Sequence, residues 1–172
     1  MKTVLVTGPI GGGKSACCRY LRSLGYPVYD CDSRCKALYE EVPGLKSSIE
    51  KELGIPFQEL GRIFTEPLLM EKLEALVYPL MVRDIESWKS GQDSSLLFIE
   101  SAVAHGKEIF RHLYDSVLLI TADYAVRLAR NPDAALRDRL QHFSADMADY
   151  TIINGSSLRN LHDEIDEYLD TL

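Results

Sequence analysis

The stretch "GPIGGGKSACC", residues 8–18, follows a short apolar run, and its reading decides the fold. It fits G-x-x-x-x-G-K-S, with Gly8, Gly13, Lys14 and Ser15 at the required places. A loop of this pattern turns backbone N–H groups toward phosphate oxygens. It also brings the lysine ammonium to the β and γ positions and offers the serine hydroxyl to Mg²⁺. Side chains at Gly8 and Gly13 would restrict the turn or crowd the phosphate. The competing reading is an ordinary glycine-rich turn ahead of a helix, and the flanks speak against it. "TVLVTG" is short, β-branched and apolar, the pattern of a parallel strand buried on both faces. "ACCRYLRSLG" then places Leu21 and Leu24 near helical spacing from Cys17 and Cys18 and stops at Gly25, a residue suited to ending a helix. Strand, loop and helix in this order bring a helix N-terminus, with its oriented N–H donors, to an anion.

Further strands are predicted at "YPVYD", "SLLFIE", "DSVLLIT" and "DYTIIN", with helical segments between them. This alternation is the rhythm of an α/β domain. The longest helical segment is "EPLLMEKLEALVYPLMVRDIESW", in which Leu69, Leu73, Leu76 and Leu80 predict an apolar face. Pro67 suits a first turn, whereas Pro79 predicts a break or kink. Asn131-Pro132 marks another interruption, and "SLRNLHDEIDEYLDTL" reads as a terminal helix with an apolar stripe and an acidic exposed side.

The composition fits one substantial domain of 172 residues with 46% hydrophobic content. Lys and Arg number 19 against 26 Asp and Glu, a net charge of −7, which argues against a broad nucleic-acid grip and leaves room for a local basic pocket. No apolar stretch approaches a membrane span, and the start lacks the features of a secretory signal. Cys17, Cys18, Cys31 and Cys35 form neither a paired zinc pattern nor a disulfide framework, so a cytoplasmic protein with reduced thiols is expected. Cys17 and Cys18 read as packing residues. His105, His112, His142 and His162 lack metal-ligand spacing, and Tyr78, Phe110 and Tyr114 read as core or pocket-wall residues.

Three groups of charged residues carry chemistry beyond the loop. Asp30 and Asp32 follow the second strand, where a carboxylate can orient an acceptor hydroxyl, take its proton, or influence Mg²⁺. Asp32 is the preferred base, with capping of a helix near Ser33 as the alternative. Asp30 supports the strand end or a metal's water shell. Glu100 closes another strand in the expected crevice, where it holds a metal-bound water, positions an acceptor, or is structural. Arg127, Arg130, Arg137 and Arg139 gather in one segment of an acidic chain and read either as a phosphate-clamping flap or as solvated helix residues in local ion pairs.

The loop alone leaves a phosphotransferase, a nucleotide hydrolase and a nucleotide-controlled structural protein open. The combined stretches "MKTVLVTGPIGGGKS", "LGYPVYDCDSRCKALY", "LGRIFTEPLLMEKLEALVYPLM", "LLFIESA" and "ADYTIINGSSLRNL" resemble the dephospho-CoA kinase family over most of the chain. The resemblance implies a P-loop nucleoside-triphosphate hydrolase fold: one domain over 1–172 with a parallel β-sheet, an acceptor-binding helical insert near 59–91 and a short lid near 127–148. It implies ATP-dependent phosphorylation of the ribose 3′-hydroxyl of dephospho-CoA, with Mg²⁺, in a monomer or weak homo-oligomer without nucleic-acid or membrane partners. Another small-metabolite kinase, or a catalytically weakened regulatory relative, is the alternative.

Residue by residue, the resemblance gives the nucleotide to Gly8, Ile10, Gly11, Gly12, Gly13, Lys14, Ser15 and Ala16. Lys14 has a catalytic role as well, and Ser15 holds the metal. Asp32 is the acceptor-activating residue, and Arg62 joins it on the acceptor side with Ile63 and Phe64 beside it; Glu100 is placed there by its strand-end position alone. Arg130 belongs to the nucleotide lid, and Asn154 and Gly155 match the adenine-side motif. The chain departs from the family in three places. Tyr78-Pro79 stands for the family's His-Pro, so no histidine contact carries over. Gly106 takes the closest ungapped position to a family glutamate, with Glu108 two residues on. The segment between Arg127 and Asp149 is shorter than the usual lid.

Overall fold

The structure, a computed structural model, describes residues 1–138 and 143–172. The chain falls into two compact units, Met1–Asp30 with Gly91–Leu172, and Cys31–Ser90.

The first unit is built on a parallel sheet of five strands, β1 (Lys2–Thr7), β2 (Val28–Asp30), β3 (Leu96–Glu100), β4 (Ser116–Thr121) and β5 (Tyr150–Ile153). Their order is β2-β3-β1-β4-β5, so the strand carrying the glycine-rich loop at its end is central. Register brings Val6 beside Glu100 and Asp30 beside Glu100. One face of the sheet packs Val4, Val6, Phe98, Leu118, Ile120 and Ile152 against two helices, α1 (Lys14–Ser23) and α7 (Leu158–Leu169). Those helices contribute Cys17, Cys18 and Leu21, and Leu161, Ile165 and Tyr168. The alternate residues Leu5, Leu97, Ile99 and Leu119 are buried as well, so the inner strands are covered on both faces, and this explains their unbroken apolar runs. Cys17 and Cys18 are core residues, and the four cysteines, all among the described residues, form no disulfide.

Gly25 ends α1 as its position predicts. With φ +90° it lets its own N–H reach the Arg22 carbonyl, while the Tyr26 N–H reaches Leu21, closing the last turn. Two short helices, α5 (Tyr124–Arg130) and α6 (Ala134–Arg137), follow β4, and Ser157 caps α7 by accepting from the Asn160 N–H. Phe110 and Tyr114 are buried, in keeping with core roles.

The second unit contains α2 (Cys31–Glu41), α3 (Leu45–Leu53), a 3₁₀ segment (Phe57–Phe64) and α4 (Pro67–Ser90). Residues 59–90 of the expected insert lie in it. The predicted break at Pro79 does not occur: α4 runs through it for 24 residues. A proline inside a helix removes one hydrogen bond and costs about 3 kcal/mol. Here the buried stripe Leu73, Val77, Met81 and Ile85 continues on both sides of it, and burial offsets the loss. That stripe also corrects the expected apolar face: Leu69, Leu76 and Leu80 flank it and are half-buried. Among the described residues no helix is long and apolar enough to cross a membrane.

Candidate functional site

The C-terminal ends of the strands bring the first unit's polar residues together. The loop after β1 lies on the end of β4 so closely that a Cβ at Gly12 would stand 2.6 Å from the Ile120 carbonyl oxygen, and one at Gly8 would meet the same atom. No other residue type fits this approach. Lys14 opens α1, and its ammonium crosses the loop to donate to the Gly8 carbonyl at 2.7 Å and the Pro9 carbonyl at 3.3 Å. The N–H groups of Ala16 and Cys17 donate to the Gly13 carbonyl at 3.1 and 3.0 Å, so the helix starts directly from the loop. Ile10 and Gly11 are half-buried on the loop's crest.

Ser15, one residue into α1, donates its hydroxyl to Glu100 Oε1 at 2.8 Å. Glu100 is only 8% exposed, a buried carboxylate at the end of β3 with Asp30 beside it on β2. A buried carboxylate is held where hydrogen bonds reach it. Burial, the neighbouring Cys17 and the charge of Glu100 all act on the Cys18 thiol; the hydrogen bond with Cys17 is the largest effect, and together they push its ionisation far up. Cys18 is therefore a neutral packing thiol rather than a nucleophile. Glu100, expected to hold a metal-bound water, position an acceptor or be structural, here accepts from the loop serine.

The arginines divide. Arg127 is buried: its Nε donates to the Ala122 carbonyl at 3.1 Å, and its two terminal nitrogens grip Asp138 at 2.8 and 2.6 Å. The hydrogen bonds it donates to Asp138 raise its already high pKa, so the guanidinium is permanently charged. One terminal nitrogen also lies 3.5 Å from the Ile10 carbonyl. Arg130 is exposed and donates to the Gly11 carbonyl at 3.2 Å. Arg137 closes α6, and Arg139, expected in the same flap, lies outside the described residues, as does His142. Asn154, buried just past β5, donates its amide to the Gly12 carbonyl at 3.0 Å. Gly155 follows it in the open. Sequence reasoning attached Asn154 and Arg130 to the nucleotide and did not foresee their grip on the loop backbone, because such contacts join residues more than a hundred positions apart.

In the second unit, Asp32 is exposed in the first turn of α2. The helix begins at Cys31, not near Ser33, so Asp32 is inside the helix and is not its cap; an acid there is still favoured by the helix dipole. Two residues on, Arg34 donates to both oxygens of Asp84 at 2.9 Å and to both of Glu41 at 3.2 and 3.0 Å, tying α2 to α4. Nothing in the sequence pattern singled out Arg34. Arg62, expected to meet an acceptor phosphate, is exposed between Glu59 at 3.1 Å and Glu66 at 2.8 Å. Tyr78 is half-buried and donates to Glu74 at 2.8 Å; burial is the main cause that pushes its phenol well above the ordinary range. Gly106 and Glu108, both in the first unit, are exposed in consecutive 3₁₀ turns.

Comparison with known proteins agrees with this geometry. The sequence profile of dephospho-CoA kinase matches residues 2–141. The dephospho-CoA kinase of Porphyromonas gingivalis is 32% identical over 90% of this chain and 86% of its own. Among solved structures, TT1252 from Thermus thermophilus superposes with a TM-score of 0.81 at 26% identity, covering 99% of this chain and 97% of that one. Dephospho-CoA kinase from Campylobacter jejuni shares the fold, with a TM-score of 0.63 at 20% identity over 99% of this chain and 96% of its own. This chain is a member of the dephospho-CoA kinase family.

Proposed function

We infer that this chain transfers the terminal phosphoryl group of ATP to the ribose 3′-hydroxyl of dephospho-CoA, forming CoA and ADP. The observation that carries the reading is the complete loop, Gly8 to Ser15, with Lys14 laid across it and Ser15 bonded to Glu100, in a chain of this family. Phosphoryl transfer rests on positioning and on charge stabilisation rather than on covalent chemistry by the protein. Loop N–H groups and the Lys14 ammonium hold the β- and γ-phosphates. The acceptor oxygen forms the new P–O bond as the bond from the γ-phosphorus to the bridging oxygen breaks, and ADP leaves. Asp32 orients the acceptor hydroxyl and takes its proton late, then releases it to solvent.

Ser15 and Glu100 offer hard oxygen donors, the chemistry Mg²⁺ selects. Mg²⁺ in phosphate sites keeps water and phosphate in most of its positions, so one or two protein oxygens suffice. When bound it neutralises phosphate charge and fixes the phosphates' alignment. Ser15 is assigned as the direct ligand and Glu100 as the group that orients it. Four cysteines that form no disulfide support a reducing, cytoplasmic setting. The test is ADP formation with dephospho-CoA, adenosine and simple nucleosides offered in turn. Formation that depends on dephospho-CoA supports the reading; equal formation with every acceptor, or with none, contradicts it.

A further inference from the structure

Each carbonyl of the loop from Gly8 to Gly12 accepts a hydrogen bond, the first two from groups of the loop and helix start and the last three from distant side chains. Gly8 and Pro9 accept from Lys14, and Pro9 also from the Gly12 N–H at 3.1 Å. Ile10 accepts from Arg127, Gly11 from Arg130 and Gly12 from Asn154. A trans peptide is planar, with its N–H antiparallel to its C=O. Fixing a carbonyl on one side therefore aims the next residue's N–H to the other. Arg127 on the Ile10 carbonyl thus turns the Gly11 N–H away from itself, and Asn154 on the Gly12 carbonyl turns the Gly13 N–H away from itself, beside the helix N-terminus of α1.

The Asn154 contact is the best built of these. It has a distance of 3.0 Å between buried partners, and the Asn154 N–H is itself anchored to the Thr121 carbonyl at 2.7 Å. A Cβ on Gly13 would meet the same amide nitrogen, so Asn154 fills the space on that side of the loop. We propose that Asn154 is a positioning residue for phosphate binding: from the end of β5 it locks the peptide between Gly12 and Gly13 so that the Gly13 N–H faces the phosphates. This differs from contact with the adenine ring, because it acts on any ligand carrying the phosphate chain. It rests on the reading of residues 8–15 as the phosphate loop and not on the identity of the acceptor.

Inorganic tripolyphosphate, which has phosphates and no base, separates the two roles. In folded Asn154→Ala protein, the dissociation constants for ATP and tripolyphosphate should rise together, by roughly five- to tenfold for one lost orienting hydrogen bond. A rise for ATP alone assigns Asn154 to the base, and no rise for either removes its role; both overturn the proposal. Should the variant not fold, nitrogen-edited NMR of the wild-type Asn154 side-chain amide answers the same question. Equal shifts with ATP and tripolyphosphate are expected, and a shift with ATP or adenosine alone overturns the proposal. Wild-type protein that binds neither ligand would overturn the loop reading itself.

Discussion

The hydroxyl of Ser15 and the carboxylate of Glu100 meet at 2.8 Å, joining the start of α1 to the end of β3. Glu100 lies on the strand next to the one that delivers the loop, in register with Val6. In the proposed function its charge orients the serine oxygen that would hold Mg²⁺. Glu100→Gln keeps the shape and removes that charge. The Mg²⁺ concentration for half-maximal transfer should rise about tenfold or more, as for other residues that orient a metal ligand. A Mg²⁺ titration of the folded variant checks this, and an unchanged midpoint counts against the role.

In the proposed function Lys14 stabilises charge that develops during transfer. In Lys14→Ala, the loop loses the ammonium that now caps the Gly8 and Pro9 carbonyls. Transfer should fall about 10²–10³-fold, the range for loss of one preorganised electrostatic donor. Turnover of a variant with wild-type thermal stability is the measurement, and near-normal turnover removes Lys14 from the chemistry.

Asp32→Asn tests the base directly. The variant keeps a similar shape and a place in the first turn of α2 while losing the ability to accept a proton. Single-turnover transfer should drop by roughly 10²–10⁴-fold, less if proton transfer is very late. Binding of ATP and dephospho-CoA should survive. Wild-type transfer would reject the assignment.

Asp138 holds the buried guanidinium of Arg127 in a two-point ion pair. Asp138→Ala leaves that charge without its carboxylate. The cost should be about 1–3 kcal/mol, below the value for a fully buried pair because Asp138 is partly exposed. Urea unfolding measures it; a change near zero would show that water replaces the carboxylate.

Tyr168 sets an alkaline limit. Burial pushes its phenol up to about 12, above its ordinary value. The unfolded chain therefore ionises first as pH rises, and the folded state holds the extra proton. The contribution is complete below about pH 10 and is lost as pH climbs through the folded value. Tyr168→Phe lacks this dependence, so its stability should decline less between neutral and strongly alkaline solution. Parallel declines in the two proteins would contradict the assignment.

Much of this architecture is readable from local pattern. The five strands carry β-branched apolar runs, and Gly8, Gly13, Lys14 and Ser15 announce the loop between β1 and α1 because each is needed for a local backbone or charge reason. What stayed hidden depends on distance along the chain. Pro79 looks like a breaker until the stripe of Leu73, Val77, Met81 and Ile85 is seen to be buried on both sides of it. Glu100 has three plausible roles as a strand-end acid, and only strand order brings it to Ser15. Arg127 reads either as a phosphate clamp or as a solvated residue in a local ion pair; in the fold it is buried, ion-paired with Asp138 and bonded to the Ala122 carbonyl. Asn154 is 142 positions from the Gly12 carbonyl it holds, and no periodicity encodes that pairing.

Transfer to dephospho-CoA changes the mass of the acceptor. Wild-type protein is incubated with ATP, Mg²⁺ and dephospho-CoA, and the acceptor is examined by mass spectrometry with fragmentation to locate the new group. The expected product is heavier by one phosphoryl group on the ribose 3′-oxygen, with one ADP formed for each. ADP release with unchanged dephospho-CoA, or phosphate on another oxygen, would contradict that transfer.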